Sequence, residues 1–394
     1  MSKDQEPFFY STIECPVCKT KNKFENIRAG SYTESGKDTD FCPTGRVWQD
    51  PLYQAHDPLM YFMATCKECF YTREFNNSFK KWQNDTSFKT YRLQTIKEKH
   101  LKNYSVAGGV IQLLGLHIDT AKYPFESSVN KFLLGIYDEL LVSRPSYLDI
   151  GRFFLRIAWL FRGNKDKAGS QTNAAVGLFA KLRGSAGQAS KTLPDFADKV
   201  QGLKELLDND FTMKFEDVPE ADEYKKRIEK IISEITDSLN PLKQAGDKLM
   251  DIFNDAEKAL MKGQVSTSEQ SFFEYPGYFD FLSEVKKGWD EVPFSENDAL
   301  IKANEYYQKS YESGGQISNG LQQIQAAYLI GELSRRTKNH KNAAQYFNQM
   351  VRMGRELVMG KKGDASTLNF AKKLLEMGMD QARLNKKEHE GSLK

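Results

Sequence analysis

Two Cys-x-x-Cys pairs, Cys15/Cys18 and Cys66/Cys69, constrain this chain more than any other feature in it. Four thiolates presented as two chelating elbows suit one tetrahedral metal ion, so the pattern predicts a small metal-stapled module rather than a reaction centre. The contexts Cys15-Pro16-Val17-Cys18 and Cys66-Lys67-Glu68-Cys69-Phe70-Tyr71 read as tight turns whose backbone amides bond the sulfurs and hold them ionised. Zinc is the expected ion. One alternative is an iron–sulfur centre, although cluster ligands usually come in denser runs. The other is a set of free or disulfide-bonded thiols. Residues 1–9 lack the apolar core of a signal peptide, which predicts a reducing, cytoplasmic compartment and so favours metal.

The pairs are separated by residues 19–65, much more than the roughly 15–20 residues of a compact zinc ribbon. A sizeable excursion must therefore leave the metal and return. It contains Asp38-Thr39-Asp40-Phe41-Cys42-Pro43 and, further on, His56. Cys42 or His56 could replace a ligand, and Asp38 and Asp40 beside a thiol could form a second polar site. The plainer reading is an Asx-type turn bonding its own backbone.

Composition bounds the rest. With 394 residues, 28% charged and 40% hydrophobic, the chain is long enough for two or three packed units. A net charge of +3 argues against nucleic-acid binding by bulk charge. The longest apolar stretch, Val106 to Ile118, is interrupted by Gln112 and His117 and is too short to cross a bilayer, so no membrane span is expected.

The expected fold is mainly α: a zinc-ribbon-like module with small β content (1–78), helical hairpins (79–164), a helical insertion (165–294) and C-terminal tetratricopeptide-like hairpins (295–394). Phe70 to Phe75 alternates like a strand, and Phe79 to Asn103 carries the charges and aromatics of a surface helix. Arg73, Lys80, Lys81, Lys89, Arg92, Lys97, Lys99 and Lys102 are interleaved there with Phe75, Phe79, Trp82, Phe88 and Tyr91, a pattern able to grip phosphates and stack bases. An ordinary amphipathic helix accounts for it as well.

Helices are expected at Ser105–Asp119, Ser128–Val142 after a loop containing Pro124, and Tyr147–Arg162, which ends at Gly163-Asn164. Four more follow at Asn297–Glu312, Asn319–Thr337, Lys341–Val358 and Ala365–Lys387. The segments Ile157–Asp166 and Tyr328–Asn339 resemble each other, each closing on basic residues and a polar turn, much as tetratricopeptide units join, though without a strict 34-residue period. Such stacks offer a groove for a partner peptide or close into a bundle.

Within 165–294, residues 184–190 are small and read as flexible, and helices are expected at Leu193–Leu207 and Tyr224–Met261, the second broken or capped at Asn240-Pro241. Tyr224, Ile228, Ile231, Ile235, Leu239, Leu242, Leu249, Ile252, Ala256 and Leu260 recur at three- and four-residue steps, a coiled-coil-like seam for an internal hairpin or for a homo-oligomer. The aromatic run from Ser271 to Pro293 breaks that regularity, either anchoring a loop or offering a partner site.

No Gly-x-Ser-x-Gly elbow, phosphate-binding Gly-Lys-Ser/Thr loop or His-Glu-x-x-His helix occurs, and none of the five histidines (56, 100, 117, 340 and 389) adjoins a cysteine pair. A non-catalytic role is expected. Taken together, Cys15-Pro-Val-Cys18, the segment from Asp38 to Pro43, Pro51-Leu-Tyr53, Pro58-Leu-Met-Tyr61, Cys66-x-x-Cys69-Phe-Tyr with Phe75, and Phe153 to Arg162 resemble the bacterial DUF2225 family. The resemblance covers about residues 10–165, with a looser fit of the C-terminal hairpins. It implies a bacterial cytoplasmic protein with a cysteine metal module joined to tetratricopeptide-like helices, no assigned reaction, and Cys15, Cys18, Cys66 and Cys69 as ligands. Phe70 stands where such a knuckle usually has glycine, and the insertion at 165–294 is long. A scaffold binding a protein partner or its own copy is the leading expectation. A nucleic-acid-binding regulator using the metal module and residues 73–102 is the alternative.

Overall fold

The computed structural model describes residues 6–50, 53, 56–208, 220–263, 271–318, 320–361 and 363–392, with 165–186, 189, 221, 253–263 and 392 described by their backbone alone. Pro51 and Leu52 of the family-like segment, and the side chains of Ala256 and Leu260 in the seam, lie outside the described set. The chain divides into two units, Met1–Asn164 with Ser268–Lys394, and Lys165–Thr267. As expected, it is mainly helical, with a small N-terminal β region and the cysteines clustered there.

Three two-stranded antiparallel sheets open the first unit: β1 (Phe8–Glu14) with β2 (Lys21–Ile27), β3 (Tyr32–Lys37) with β4 (Pro43–Trp48), and β5 (Met63–Thr65) with β6 (Thr72–Glu74). Each Cys-x-x-Cys pair forms the turn of its hairpin, because Glu14 pairs with Lys21 and Thr65 with Thr72 on either side of it. The excursion is the β3–β4 hairpin plus a one-turn helix at Pro58–Tyr61.

The stretch expected as one helix from Phe79 to Asn103 is instead three short pieces, α1 (Asn77–Lys80), α2 (Thr86–Phe88) and α3 (Gln94–Tyr104), joined by a 3-10 turn at Trp82–Asn84 and a π turn at Lys89–Leu93. Side-chain caps open the first two pieces, while α2 runs on into α3 through the π turn without one. The Asn76 side chain accepts from Phe79 N and that of Asp85 from Phe88 N, each satisfying an orphan donor of a new first turn.

Next come α4 (Val110–Leu116) and α5 (Pro124–Leu140). Pro124, expected in a loop, opens α5, where its missing N–H costs nothing. The helix α6 (Tyr147–Leu206) does not stop at Gly163-Asn164. Glycine ends a helix by turning left-handed, and Gly163 keeps a negative φ. The run 184–190, read as flexible, therefore lies within helical backbone. In the second unit α7 (Ala221–Gly263) likewise passes through Asn240-Pro241 without a break. Among the described side chains of this unit, Val200, Leu207 and Ile232 form a buried apolar cluster with Ile228 and Ile235 beside it.

The rest of the first unit is α8 (Tyr278–Gly288), a helix that the aromatic run had hidden, then α9 (Glu296–Glu312), α10 (Leu321–Arg336), α11 (His340–Met359) and α12 (Ala365–Ser392). The last three run antiparallel to their neighbours: Ser334 bonds Asn342 while Tyr328 meets Phe347, and His340 bonds Asn385 while Gly354 meets Leu375. Close approach depends on glycine, since a methyl at Gly331 would overlap the Phe347 ring. The main core joins Phe132, Leu133 and Ile136 of α5, Phe154 and Ile157 of α6, and Phe281 of α8 to Tyr328, Ile330 and Phe347 of the C-terminal hairpins. The aromatic segment anchors there too, through Tyr278 Oη donating to Asn130 Oδ1 at 2.9 Å.

Candidate metal centre

The two hairpin turns bring Cys15, Cys18, Cys66 and Cys69 together, with all four sulfurs within 4.8 Å of one another. Cys15 and Cys69 lie 3.8 Å apart and Cys18 and Cys66 3.5 Å. Two sulfurs on a tetrahedral ion with bonds near 2.3 Å stand about 3.8 Å apart, whereas a disulfide needs about 2.05 Å. The thiols are free, and their spacing is compatible with a shared ion. This donor set can hold one metal ion. Cys42 and His56 do not belong to it.

Each turn is built the same way. Cys15 N donates to Thr20 O at 2.9 Å and Lys19 N to Cys15 O at 3.0 Å; in the second, Cys66 N donates to Tyr71 O at 2.9 Å and Phe70 N to Cys66 O at 3.0 Å. The residue after the second cysteine is left-handed in both, Lys19 at φ 67° and Phe70 at φ 62°. The position that usually holds glycine thus keeps its conformation with Phe70, at a strain of roughly 1–2 kcal/mol. Packing holds it there: the Phe70 ring sits against Gly115 of α4, where a methyl would overlap it, and edge-on to Tyr104 at 5.9 Å.

The surrounding bonds favour negative sulfur. Asn22 Nδ2 donates to Cys66 Sγ at 3.3 Å while its Oδ1 accepts from Lys67 N at 2.9 Å, so one β2 side chain ties the first hairpin to the second turn. Hydrogen bonds from Cys15 and Cys69 hold the Cys66 thiol well below its usual range, whereas hydrogen bonds with Cys15 and Cys66, together with burial, push Cys69 up. A cation resolves that conflict by making all four thiolates favourable at once.

Beneath the second turn, Asp138 of α5 accepts from Thr72 N at 2.8 Å and pairs with His100 Nδ1 at 2.5 Å, while His100 Nε2 meets Cys69 O at 2.7 Å. Both ring nitrogens face oxygens, an arrangement that favours the doubly protonated imidazolium. Burial opposes that charge, but Asp138 outweighs it and His100 is raised above its ordinary range. Cys15, Cys66 and Cys69 are buried in a local core with Tyr71, Phe79, Trp82, Phe88 and Ile96, and Trp82 Nε1 donates to Glu14 O at 2.8 Å.

That core absorbs the aromatics of the basic stretch. Phe79, Trp82 and Phe88 are buried and Phe75 is partly so, Arg73 lies over Phe88 at 4.3 Å and Lys80 over Phe75 at 4.6 Å, and Arg92 grips Glu139 at 2.5 and 2.6 Å. Tyr91 is the exposed aromatic of the set.

Asp38 and Asp40 form an anchor rather than a ligand pair. Arg162 spans Asp38 at 3.0 Å, Asp40 at 2.6 Å and Glu296 at 2.8 Å, and Trp159 Nε1 reaches Asp40 at 3.3 Å. Arg336 holds Asp38 at 2.7 Å and Glu332 at 2.8 Å, Thr39 hydroxyl donates to Glu332, and Tyr328 Oη donates to Thr39 O at 2.8 Å. The basic ends of the two mutually similar segments, 157–166 and 328–339, therefore meet at one turn. Burial opposes ionisation of Asp38, but Arg336 and Arg162 hold its carboxyl below the usual range. Burial pushes the Cys42 thiol up to about 12, and its sulfur faces Pro43 O at 3.7 Å. His56 Nδ1 meets Tyr61 Oη at 2.9 Å within an aromatic group of Phe8, Trp48 and Tyr53.

Fold and centre together define a helical-hairpin protein with an N-terminal module organised by a four-cysteine cluster. The family described as an uncharacterized protein conserved in bacteria (DUF2225) matches residues 8–185 and 283–365, well over half of the sequence, and the chain belongs to it. The match reaches into the C-terminal hairpins further than the residues quoted for the resemblance do. Comparison with curated proteins and with solved structures finds no match.

Proposed function

We propose that this chain is a non-catalytic interaction protein of the bacterial cytoplasm. One zinc ion held by Cys15, Cys18, Cys66 and Cys69 fixes its β hairpins on the helical scaffold, and the chain binds a protein partner or a second copy of itself. The observation that supports this reading is the closed donor set: four sulfurs fill a tetrahedral ion and leave no position for water or substrate. Partly buried thiols tied to backbone and to Asn22 suit a borderline-soft ion with structural duty. The second unit supplies a surface for a partner, since Tyr224, Ile231, Leu242, Leu249 and Ile252 of α7 are exposed. The nucleic-acid reading is weaker, because stacking bases needs the aromatics that the local core has taken.

The test is capture of the tagged full chain from its own cells, with metal analysis of the eluate and with and without nuclease. One zinc per chain with a nuclease-resistant protein partner, or a dimeric mass, supports the proposal. A substoichiometric or different metal, or loss of all partners on nuclease treatment, overturns it.

A further inference from the structure

The turn that carries Cys66 also forms part of the wall of a cavity of about 620 Å³, in the size range of sites for small organic ligands. Phe24, Tyr61, Phe70, Phe75 and Phe273 give it an aromatic lining, and Lys131 of α5 stands among them. Lys131 Nζ donates to Thr120 Oγ1 at 3.1 Å and to Met60 O at 3.4 Å, both neutral acceptors. An ammonium has three protons, so one donor remains for the cavity.

No carboxylate among the described residues forms an ion pair with this lysine, and only the longer-range attraction of Glu25 offsets its burial. The two acidic side chains in the wall are engaged elsewhere: Glu25 accepts from Tyr10 Oη at 3.3 Å, and Asp119 accepts from the backbone N–H of Ala121 and Lys122 at 3.1 and 3.0 Å. With Lys23 and Lys67 also in the wall, cations outnumber carboxylates there. Burial lowers the Lys131 pKa to about 8, which measures how poorly the pocket solvates the charge. Two hydrogen bonds to neutral acceptors and the distant Glu25 leave most of that cost uncompensated, and an apolar side chain would fill the position more cheaply.

We infer that this cavity binds a small organic anion with an apolar, ring-bearing body, its carboxylate or sulfonate on Lys131 and its body against Phe24, Tyr61 and Phe273. Because Phe70 and Cys66 belong to the wall, the bound molecule would rest against the metal turn and sense whether it is formed. This site does not depend on the scaffold reading above.

The experiment compares two probes of one shape, anilinonaphthalene sulfonate and the uncharged phenylnaphthylamine, titrated by fluorescence into the metal-loaded full chain and into Lys131→Met. Saturable one-to-one binding of the sulfonate, weakened at least tenfold in Lys131→Met while the neutral probe binds both proteins alike, is the expected result. Equal sulfonate affinity in the two proteins, or no saturable binding to the native chain, overturns the inference. Lys131→Arg, which keeps the charge, should bind within a few fold of the native chain. Loss of binding there with circular dichroism and melting unchanged would also count against it.

Discussion

The two units of this chain are both built from amphipathic helices, yet they use them differently. In the first, α5, the start of α6 and α8 to α12 bury whole faces against one another, and the β hairpins add a second core around the cysteines. In the second, the described side chains include one buried apolar cluster, Val200, Leu207 and Ile232, while Phe196, Leu203, Leu206, Tyr224, Ile231, Leu242, Leu249 and Ile252 are exposed. A fully buried Leu or Phe contributes roughly 1.5–3 kcal/mol of transfer free energy, so similar periodicity yields very different local stability. Amphipathicity fixes which face is apolar; the number of elements available to cover it decides whether that face becomes core.

The largest effect should come from the metal centre. Cys66→Ser should release the ion and cost on the order of 10 kcal/mol of apparent stability in the β region. Hydrogen exchange on the full chain should show β5, β6 and α3 losing protection while α7 keeps its native rates. Equal loss in both units would erase the contrast between them. Next, Arg162→Met leaves Asp40, which is fully buried, without its main cation and should cost about 3–5 kcal/mol, read as a lower denaturation midpoint with metal content unchanged.

A methyl at Gly115 forces the Phe70 ring out of place, so Gly115→Ala should cost about 1–3 kcal/mol and speed metal transfer to a chelator. Lys131→Met should act in the opposite direction, stabilising the first unit by about 1–2 kcal/mol at pH 7. The sign follows from the depressed pKa: between about 8 and the ordinary lysine value the unfolded chain binds more protons, so native stability rises with pH there. The gain from the variant should accordingly shrink in melts above pH 8. Last, Leu242→Glu with Leu249→Glu should move stability by no more than about 0.5 kcal/mol, as for exposed sites, while abolishing self-association or partner capture. A loss of 2 kcal/mol or more would show that this stripe is core after all.

What was legible in the sequence follows the range of the interactions involved. Cys15, Cys18, Cys66 and Cys69 could be grouped without coordinates because ligand chemistry repeats at a short, fixed spacing. The left-handed Lys19 carried no signal in its residue type; Phe70 stands where a glycine is usual, but the packing that lets it keep that conformation comes from Gly115, far along the chain. Asp38 and Asp40 read as turn residues, and they do sit in a turn, but their partners Arg162 and Arg336 are more than a hundred residues away. The helix stop expected at Gly163-Asn164 relied on composition, whereas glycine ends a helix only when the backbone turns left-handed. The starts of α1 and α2 did carry a local signal, in Asn76 and Asp85 as capping residues.

The turn clasped by Arg162 and Arg336 also sets an order of events during synthesis. Asp38 and Arg336 are 298 residues apart, so a ribosome adding about 5–20 residues per second needs roughly 15–60 s between making the first and the second. All four cysteines have been made by residue 69 and their supporting helices by residue 140, long before the second clasp exists. The nascent chain can therefore take up its ion early and then wait, with an acidic, unclasped hairpin on display, until the C-terminal helices arrive to cover it.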